Sequence, residues 1–160
     1  MTVKVSSLSI DNGSRLTLIS GPCVIESKDL IHDVAGRIKE ITDSLEIGYI
    51  FKSSFDKANR SSSSSFRGPG LEDGLAILLE VKEKTGLPIL SDVHSVFDIE
   101  QSAGILDILQ IPAFLCRQTD LIKSAAESGR VVNVKKGQFL SPSDMKNVIL
   151  KFHGFGCESI

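Results

Sequence analysis

A strand end rich in lysine, arginine and hydroxyl groups is the segment of this sequence best suited to bind anions. Lys52, Lys57 and Arg60 lie within nine residues of one another, interleaved with serines and an amide. Ammonium, guanidinium and hydroxyl groups are the donors that a phosphate or a carboxylate needs. A flexible, basic surface loop is the alternative, since a serine run follows at 61–65. The glycine-rich motifs GxxxxGK[ST] and GxGxxG are absent from the sequence, which disfavours a nucleotide-binding loop.

A polar pair ends another predicted strand. Asp92 and His94 flank Val93, and because side chains alternate along a strand, both point the same way. This geometry suits a pair that faces a binding site. The alternative is that the carboxylate and the imidazole only cap the helix that follows.

These residues are positioned by a strand and helix pattern that recurs along the chain. Near-continuous apolar runs predict strands at 16–20, 49–55, 88–93, 105–111 and 131–136. Apolar residues at helical spacing, together with capping signals, predict helices at about 27–44, 71–85, 96–103 and 118–128, and a fifth helix that starts at Ser141 and Pro142. An Asn-Gly pair at 12–13 predicts the turn of a short hairpin that precedes the first of these strands.

Strands alternating with amphipathic helices predict a parallel sheet covered by helices, either a barrel or a doubly wound sheet. Polar residues lie at the carboxyl end of every predicted strand; they are Ser20, Lys52 to Ser54, Asp92, His94, Gln110, Lys135 and Lys136. A doubly wound sheet concentrates its site at one switch point, whereas a barrel draws on every strand. This distribution favours a barrel, of which the chain would hold about five of eight βα units. The sequence stops at 158–160, where a sixth strand is expected, so we expect either a natural fragment or a longer polypeptide.

Composition bounds the class of protein. The 160 residues are 41% apolar and 24% charged, which is typical of a globular domain, and the net charge of -2 argues against non-specific nucleic-acid binding. No apolar run approaches the roughly 20 residues of a membrane span. Three cysteines without a CxxC pair, and no leading signal segment, predict a reducing, cytoplasmic location.

Seven short motifs follow one another along nearly the whole chain: GPCVIES at 21–27, KANRS at 57–61, RGPG at 67–70, SDVH at 91–94, LQIPAFL at 109–115, RQTD at 117–120 and NVKK at 133–136. In this order they resemble the 3-deoxy-D-manno-octulosonate 8-phosphate synthase family, in its metal-dependent subclass. The resemblance implies an α/β fold, a TIM (β/α)8 barrel with an N-terminal hairpin. The chain would then be a single domain over 1–160, with the hairpin at 1–15 and units one to five at 16–160.

The resemblance also implies a reaction, in which phosphoenolpyruvate condenses with arabinose 5-phosphate during lipopolysaccharide synthesis. The implied catalytic residues are Lys57, Asp92 and Lys135. The implied substrate-binding residues are Lys52, Ser54, Asn59, Arg60, Ser61, Gln110, Arg117 and Gln138. Lys57 and Lys135 would hold phosphoenolpyruvate, and Asp92 would lie beside the sugar and the reacting water. Arg117 would reach the sugar phosphate of a neighbouring subunit, which implies a homo-oligomer, expected to be a homotetramer. Taken singly, each of these residues is also compatible with an ordinary surface or capping position.

Cys23 separates the subclasses of that family, since cysteine at this position implies a divalent metal: zinc or iron, with manganese as a further option. A lone cysteine is otherwise more often a small buried hydrophobic residue, and no histidine or cysteine accompanies Cys23 at ligand spacing. The remaining implied ligands fall beyond Ile160. Cys116 and Cys157 have no implied role.

Two other functions remain open. A sister family that uses erythrose 4-phosphate carries a proline and a threonine around its arginine, where this chain has Ala58, Asn59 and Ser61. The second option is a non-catalytic module that binds phosphate, because an open half-barrel would expose two sheet edges and invite association.

Overall fold

Seven strands and five α-helices are found among the residues that the structure describes. The computed structural model describes residues 2–13 and 15–160, so Met1 and Ser14, which fall inside the predicted hairpin segment 1–15, lie outside the described residues. The strands are β1 (Val3–Val5), β2 (Leu8–Ile10), β3 (Thr17–Ser20), β4 (Gly48–Lys52), β5 (Ile89–Asp92), β6 (Ile108–Ile111) and β7 (Val131–Val134). The helices are α1 (Lys28–Ser44), α2 (Leu71–Thr85), α3 (Val96–Ser102), α4 (Thr119–Glu127) and α5 (Met145–Gly154).

Strand order distinguishes the two predicted architectures. A doubly wound sheet reverses its order at a switch point, whereas a barrel adds each new strand on the same side. Here the main sheet has the order β3-β4-β5-β6-β7, and every neighbouring pair is parallel. The sheet curls into a half-barrel, which confirms the predicted fold class of a partial TIM barrel.

The helix boundaries follow local capping chemistry. The Ser27 hydroxyl accepts from the Leu30 N–H at the start of α1, as expected for an N-cap. α2 ends at Gly86, whose φ of +72° is a left-handed conformation that glycine adopts without strain. A short 3-10 turn, Pro142–Asp144, precedes α5 and carries a capping box between Ser141 and Asp144. Each predicted helix is therefore found close to its expected bounds.

The strands are shorter than their apolar runs. The run predicted as a strand at 49–55 leaves the sheet after Lys52, and Ser54 keeps only an isolated bridge to Val24. The run predicted at 105–111 pairs only from Ile108, because the backbone at 105–106 is hydrogen-bonded to Ser102 at the end of α3. Residues 53–55 thus belong to the loop after β4, which carries Ser54 and Lys57.

Two apolar cores lie on opposite faces of the sheet. Outward-facing residues of the strands, such as Phe51, Ile89 and Leu109, pack against the helices. The inward-facing residues Ile50, Leu90 and Ile108 pack instead against the hairpin, through Val5. This alternation is the two-residue period of a strand, and the hairpin closes the floor of the half-barrel.

The hairpin turn is not where the sequence predicted it. Val5 pairs with Leu8, so the turn consists of Ser6 and Ser7, with Ser6 at φ +52°. The prediction that Asn12 and Gly13 form the hairpin turn was wrong. There the Asp11 carboxylate accepts from the Gly13 N–H at 2.8 Å, which makes a bend after the hairpin. Within the described ranges, none of the helices combines the length and the hydropathy needed to cross a membrane.

Candidate functional site at the strand ends

Sheet register brings three polar side chains into one row. Asp92 pairs with Gln110 across β5 and β6, and Gln110 pairs with Asn133 across β6 and β7. Two residues earlier on the same strands lies the apolar floor formed by Leu90 and Ile108. Because side chains alternate, the polar row stands directly above that floor, on the inner face of the half-barrel.

Asp92 is the centre of a buried polar network. Its side chain is only 7% exposed, and its Oδ2 accepts a short hydrogen bond from the Ser54 hydroxyl. Gln110 Nε2 donates to the other oxygen, Oδ1, at 2.5 Å. Lys52 Nζ donates to Ser54 Oγ at 2.8 Å and lies 3.6 Å from Asp92 Oδ2, while Lys57 Nζ lies 3.4 Å from the same oxygen. Both oxygens of the Asp92 carboxylate thus accept hydrogen bonds, and two lysine ammonium groups lie close to Oδ2.

Burial and these contacts shift the pKa values of Asp92 and Lys52. Burial alone would raise the pKa of Asp92, but Lys52, the Gln110 amide, the Ser54 hydroxyl and Lys57 together lower it to about 2. Burial lowers the pKa of Lys52, against the opposing effect of Asp92. Asp92 is therefore ionised at neutral pH and serves as a fixed negative charge between two lysines.

A cavity of about 440 Å³ opens above this network. Its polar lining comes from three separate strand-end segments and comprises Lys57, Asn59, Asp92, His94, Lys135 and Gln138. Its apolar wall is the segment 112–115, which includes the 3-10 turn Ala113–Leu115. Lys57 and Lys135 thus line one shared cavity.

The loop that carries Lys57 is held in a defined conformation by hydrogen bonds at its base. The Lys57 N–H donates to the Arg67 carbonyl at 2.7 Å, and the Gly70 N–H donates to the Phe55 carbonyl at 3.1 Å. Arg67 also makes a two-pronged ion pair with Asp56, at 2.8 and 2.5 Å, and this pair lowers the pKa of Asp56. These contacts close the loop at its base, so Lys57 is presented by a defined backbone.

The alternative that Asp92 caps the following helix does not hold. The cap of α3 is Ser95, whose hydroxyl accepts from the Asp98 N–H at 3.1 Å. His94 lies beside the cavity, with its ring edge-on to Phe55 at a centroid distance of 6.2 Å. Its Nδ1 lies 3.6 Å from Asp98 Oδ2 and makes no hydrogen bond, whereas the His94 backbone N–H donates to Asp98 Oδ2 at 2.8 Å.

Three residues assigned to substrate from the resemblance lie away from this cavity. Arg60 lines a separate depression with Glu26, and its Nε donates to the Phe66 carbonyl at 3.1 Å. Ser61 is exposed. Arg117 is exposed and lines an outer depression that also includes Lys151.

Cys23 is an exposed thiol in the loop after β3. Its carbonyl oxygen lies 3.4 Å from Lys52 Nζ, so the residue is at the same end of the sheet as the network. Among residues 2–13 and 15–160, no three or more histidine, cysteine, aspartate or glutamate side chains lie close enough together to hold a metal ion. This part of the chain therefore offers one candidate ligand and does not by itself form a metal site.

The sequence indicated Asn133 only as a member of the NVKK motif at 133–136 and not as a residue of the site. In the structure Asn133 Nδ2 donates to Gln110 Oε1 at 2.7 Å and extends the network to β7. The alternation along β7 could have identified it, because Val131 contributes to the floor and Asn133 is the next residue on the same face.

Comparison with known proteins agrees with this architecture. The chain matches the DAHP synthetase I family over residues 1–160. A protein of Fusobacterium nucleatum named 2-dehydro-3-deoxyphosphooctonate aldolase is 58% identical over 149 residues, covering 93% of this chain and 54% of its own length. Proteins with the same name are 60% identical in Albidiferax ferrireducens, covering 93% of this chain and 52% of the relative, and 52% identical in Geobacter sp. strain M21, covering 99% and 58%.

The chain thus spans about half the length of the curated relatives it matches. The match to the family, by contrast, extends from the hairpin to the last described residue. By the match over its whole sequence, the chain belongs to the DAHP synthetase I family.

Proposed function

We propose that the protein condenses phosphoenolpyruvate with arabinose 5-phosphate to give 3-deoxy-D-manno-octulosonate 8-phosphate and inorganic phosphate. The observation that carries this proposal is the cavity in which Lys57 and Lys135 face one space above the buried carboxylate of Asp92. The names of the relatives, 2-dehydro-3-deoxyphosphooctonate aldolase, support the choice of product.

The reaction requires that two anionic substrates approach each other. In the proposed step, C3 of the enolpyruvate forms a bond to the aldehyde carbon of the sugar, whose oxygen takes up a proton, and water adds at C2. The bond between C2 and the phosphate-ester oxygen then breaks, which releases inorganic phosphate and leaves a ketone at C2. Lys57 and Lys135 would bind the carboxylate and phosphate of phosphoenolpyruvate, with Gln138 at the rim of the same cavity. Fixed cations in a site that excludes bulk water stabilise negative charge that develops during such a step.

Asp92 supplies a negative charge next to these cations. Because the pKa of this group is held at about 2, it stays an acceptor at neutral pH and can orient a sugar hydroxyl or the attacking water by hydrogen bonding. Lys52 and Ser54 lie next to the Asp92 carboxylate but do not line the cavity. Lys57 both lies next to the carboxylate and lines the cavity.

The direct test is phosphate release by the protein from phosphoenolpyruvate, measured with each aldose phosphate in turn. We expect release with arabinose 5-phosphate and none without a sugar. The sister reaction with erythrose 4-phosphate is the second candidate, because the matched family bears the DAHP synthetase name. Equal or faster release with erythrose 4-phosphate would overturn the substrate assignment, and no release with either sugar would overturn the proposed reaction.

The exposed position of Arg117 supports a role in a neighbouring copy, since this side chain lines an outer depression of its own chain. We propose that it contacts the sugar phosphate bound by an adjacent subunit of a homotetramer. Arg117→Ala and Lys57→Ala should each have strongly reduced activity alone, whereas mixed oligomers of the two should regain activity, because some sites would then combine intact residues from both chains. Mixtures that form hybrid oligomers and remain inactive would exclude the shared site.

Cys23 is proposed as one ligand of a divalent metal, zinc or iron, with the remaining ligands supplied from outside the described residues. A thiolate prefers such metals over magnesium or calcium. Exposure of the thiol at the strand ends supports this role. Metal content measured on the purified protein should fall in Cys23→Ser and stay unchanged in Cys116→Ala, whose thiol is buried. Equal metal content in both variants would remove Cys23 from the ligand set.

Within this proposal, the product is a precursor of lipopolysaccharide and the reaction takes place in the cytoplasm. The low net charge of -2 fits small-molecule substrates that are recognised by placed lysines rather than by a general basic surface.

A further inference from the structure

Asn133 ends a row of amides that leads to Asp92 but does not itself line the cavity. Its Nδ2 donates to Gln110 Oε1 at 2.7 Å, and Gln110 Nε2 donates to Asp92 Oδ1 at 2.5 Å. Gln110 is 6% exposed, so bulk water has little access to either end of its amide. The orientation of Gln110 is therefore set by its two protein partners.

The amide of Gln110 has a donor end and an acceptor end, and only one orientation suits an ionised Asp92. With Nε2 toward Asp92, an N–H meets a carboxylate oxygen. With the amide reversed, two oxygens would face each other, unless Asp92 took up a proton and donated it. In its observed orientation, Asn133 presents its N–H to Gln110 and so favours the first state, because this donor requires Oε1 on its own side.

We propose that Asn133 is a positioning residue that fixes the Gln110 amide so that its N–H faces Asp92, and thereby keeps Asp92 a carboxylate. It acts from β7 on a group of β5, through a side chain of β6. The inference rests on the proposed function only for the role of Asp92 in the site; the hydrogen-bond relay stands apart from it.

Other charged groups around Asp92 bear on the same equilibrium. Lys52 on β4 and Lys57 in the loop after it approach Oδ2 at 3.6 and 3.4 Å. His94, just after β5, and Lys135, just after β7, line the adjoining cavity. None of these four contacts involves Asn133, so a change in the titration of Asp92 would report the relay and not a lost counter-ion.

The test is a titration of the Asp92 carboxyl carbon, followed by NMR in the whole chain with labelled aspartate. Asn133→Leu keeps the branching and the number of side-chain heavy atoms and removes the donor. We expect it to raise the pKa of Asp92 by about 1 unit, the size of effect that hydrogen bonds to a carboxylate produce. Asn12→Ala removes an exposed amide in the bend after the hairpin and should leave the Asp92 titration unchanged.

A double-mutant cycle identifies the route of the effect. In a Gln110→Ala background, Asn133→Leu should cause no further shift in the Asp92 titration, because the connecting amide is gone. An equal shift with and without Gln110 would overturn the relay, and so would an unchanged titration in the single variant.

A measurement on the unmodified protein covers the case in which a variant fails to fold. Through-hydrogen-bond NMR coupling should be detected between Asn133 Nδ2 and the Gln110 side-chain carbonyl, and its absence would overturn the assignment. None of these readouts needs substrate. A relay that is present without phosphate release would therefore reject the proposed reaction and leave the role of Asn133 intact.

Discussion

The ammonium groups of Lys52 and Lys57 lie close to the same oxygen of Asp92, and all three side chains are largely buried. Their arrangement determines the net charge of the site. One carboxylate between two ammonium groups leaves positive charge in excess, and Lys135 adds to it at the cavity wall. An anion that enters the cavity therefore meets a preformed positive field, while Asp92 keeps the lysines apart and oriented.

Replacing Lys57 tests that field directly. Lys57→Ala should lower kcat/KM for phosphoenolpyruvate by about 100- to 1000-fold, which is the cost of removing one placed charge donor from an active site. Circular dichroism should report an unchanged fold. Lys39→Ala, which removes a lysine paired with Asp43 on the surface of α1, is the matched control and should keep full activity. Retained activity in Lys57→Ala would exclude this lysine from the site.

Asp92 should make stability depend on acid pH. Its folded pKa of about 2 lies below the ordinary value of 3.8, so its contribution is complete above pH 4 and is lost as the pH falls toward 2. The shift corresponds to a free energy of unfolding on the order of 2 kcal/mol. Denaturant unfolding at pH 5 and pH 2.5 should show a smaller acid loss in Asp92→Asn than in the unmodified chain. Equal losses would mean that other carboxylates dominate acid unfolding.

At the scale of elements, the packing of α2 positions the loop that carries Lys57. Gly74 on α2 lies against Phe55, where an added Cβ would come within 2.3 Å of the Phe55 Cβ. Phe55 is buried and its carbonyl accepts from the Gly70 N–H at the end of the same loop. The close approach of helix and loop is thus a condition for the position of the site.

Two helical glycines offer a matched pair of substitutions. Gly74→Ala should lower the free energy of unfolding by about 1–3 kcal/mol, because Phe55 must move to admit a methyl group. Gly36→Ala, in α1, should raise it by about 0.5–1 kcal/mol, since nothing lies within 4 Å of the added Cβ and alanine favours a helix. Thermal or denaturant unfolding measures both, and opposite signs are the expected result. A stabilised Gly74→Ala variant would contradict the close packing.

For the molecule as a whole, the hairpin acts as a floor for the site. Val5 is 2% exposed and packs with Ile50, Leu90 and Ile108, directly beneath the row that contains Asp92 and Gln110. An apolar floor keeps water from entering the network from below, which strengthens the electrostatic contacts above it.

Removing part of that floor should affect the whole half-barrel. Val5→Ala should lower the free energy of unfolding by about 1–3 kcal/mol, as is usual when a buried side chain is truncated. Lys4→Ala, at the exposed neighbouring position, should change it by less than about 0.5 kcal/mol. Similar unfolding curves for the two variants would show that the hairpin does not contribute to the core.

Local patterns in the sequence determined the helices, the polar strand ends and the choice of a barrel. α2 begins and ends where its apolar spacing, acidic first turn and following glycine predict, because caps and helix periodicity depend on residues only a few positions apart. The same locality explains why Asp92 and His94 could be recognised as a pair on one side of a strand.

Only the tertiary structure decided which of the polar groups meet. The contacts of Asp92 with Ser54, of Gln110 with Asp92 and of Asn133 with Gln110 join residues 38, 18 and 23 positions apart. The last two depend on sheet register, and the first depends on the path of the loop after β4. The hairpin turn at Ser6 and the outward positions of Arg60 and Arg117 depend likewise on packing against distant segments. The sequence at a strand end shows which side chains are available for a site. Sheet register and loop closure, which join distant segments, decide which of these side chains line the same cavity.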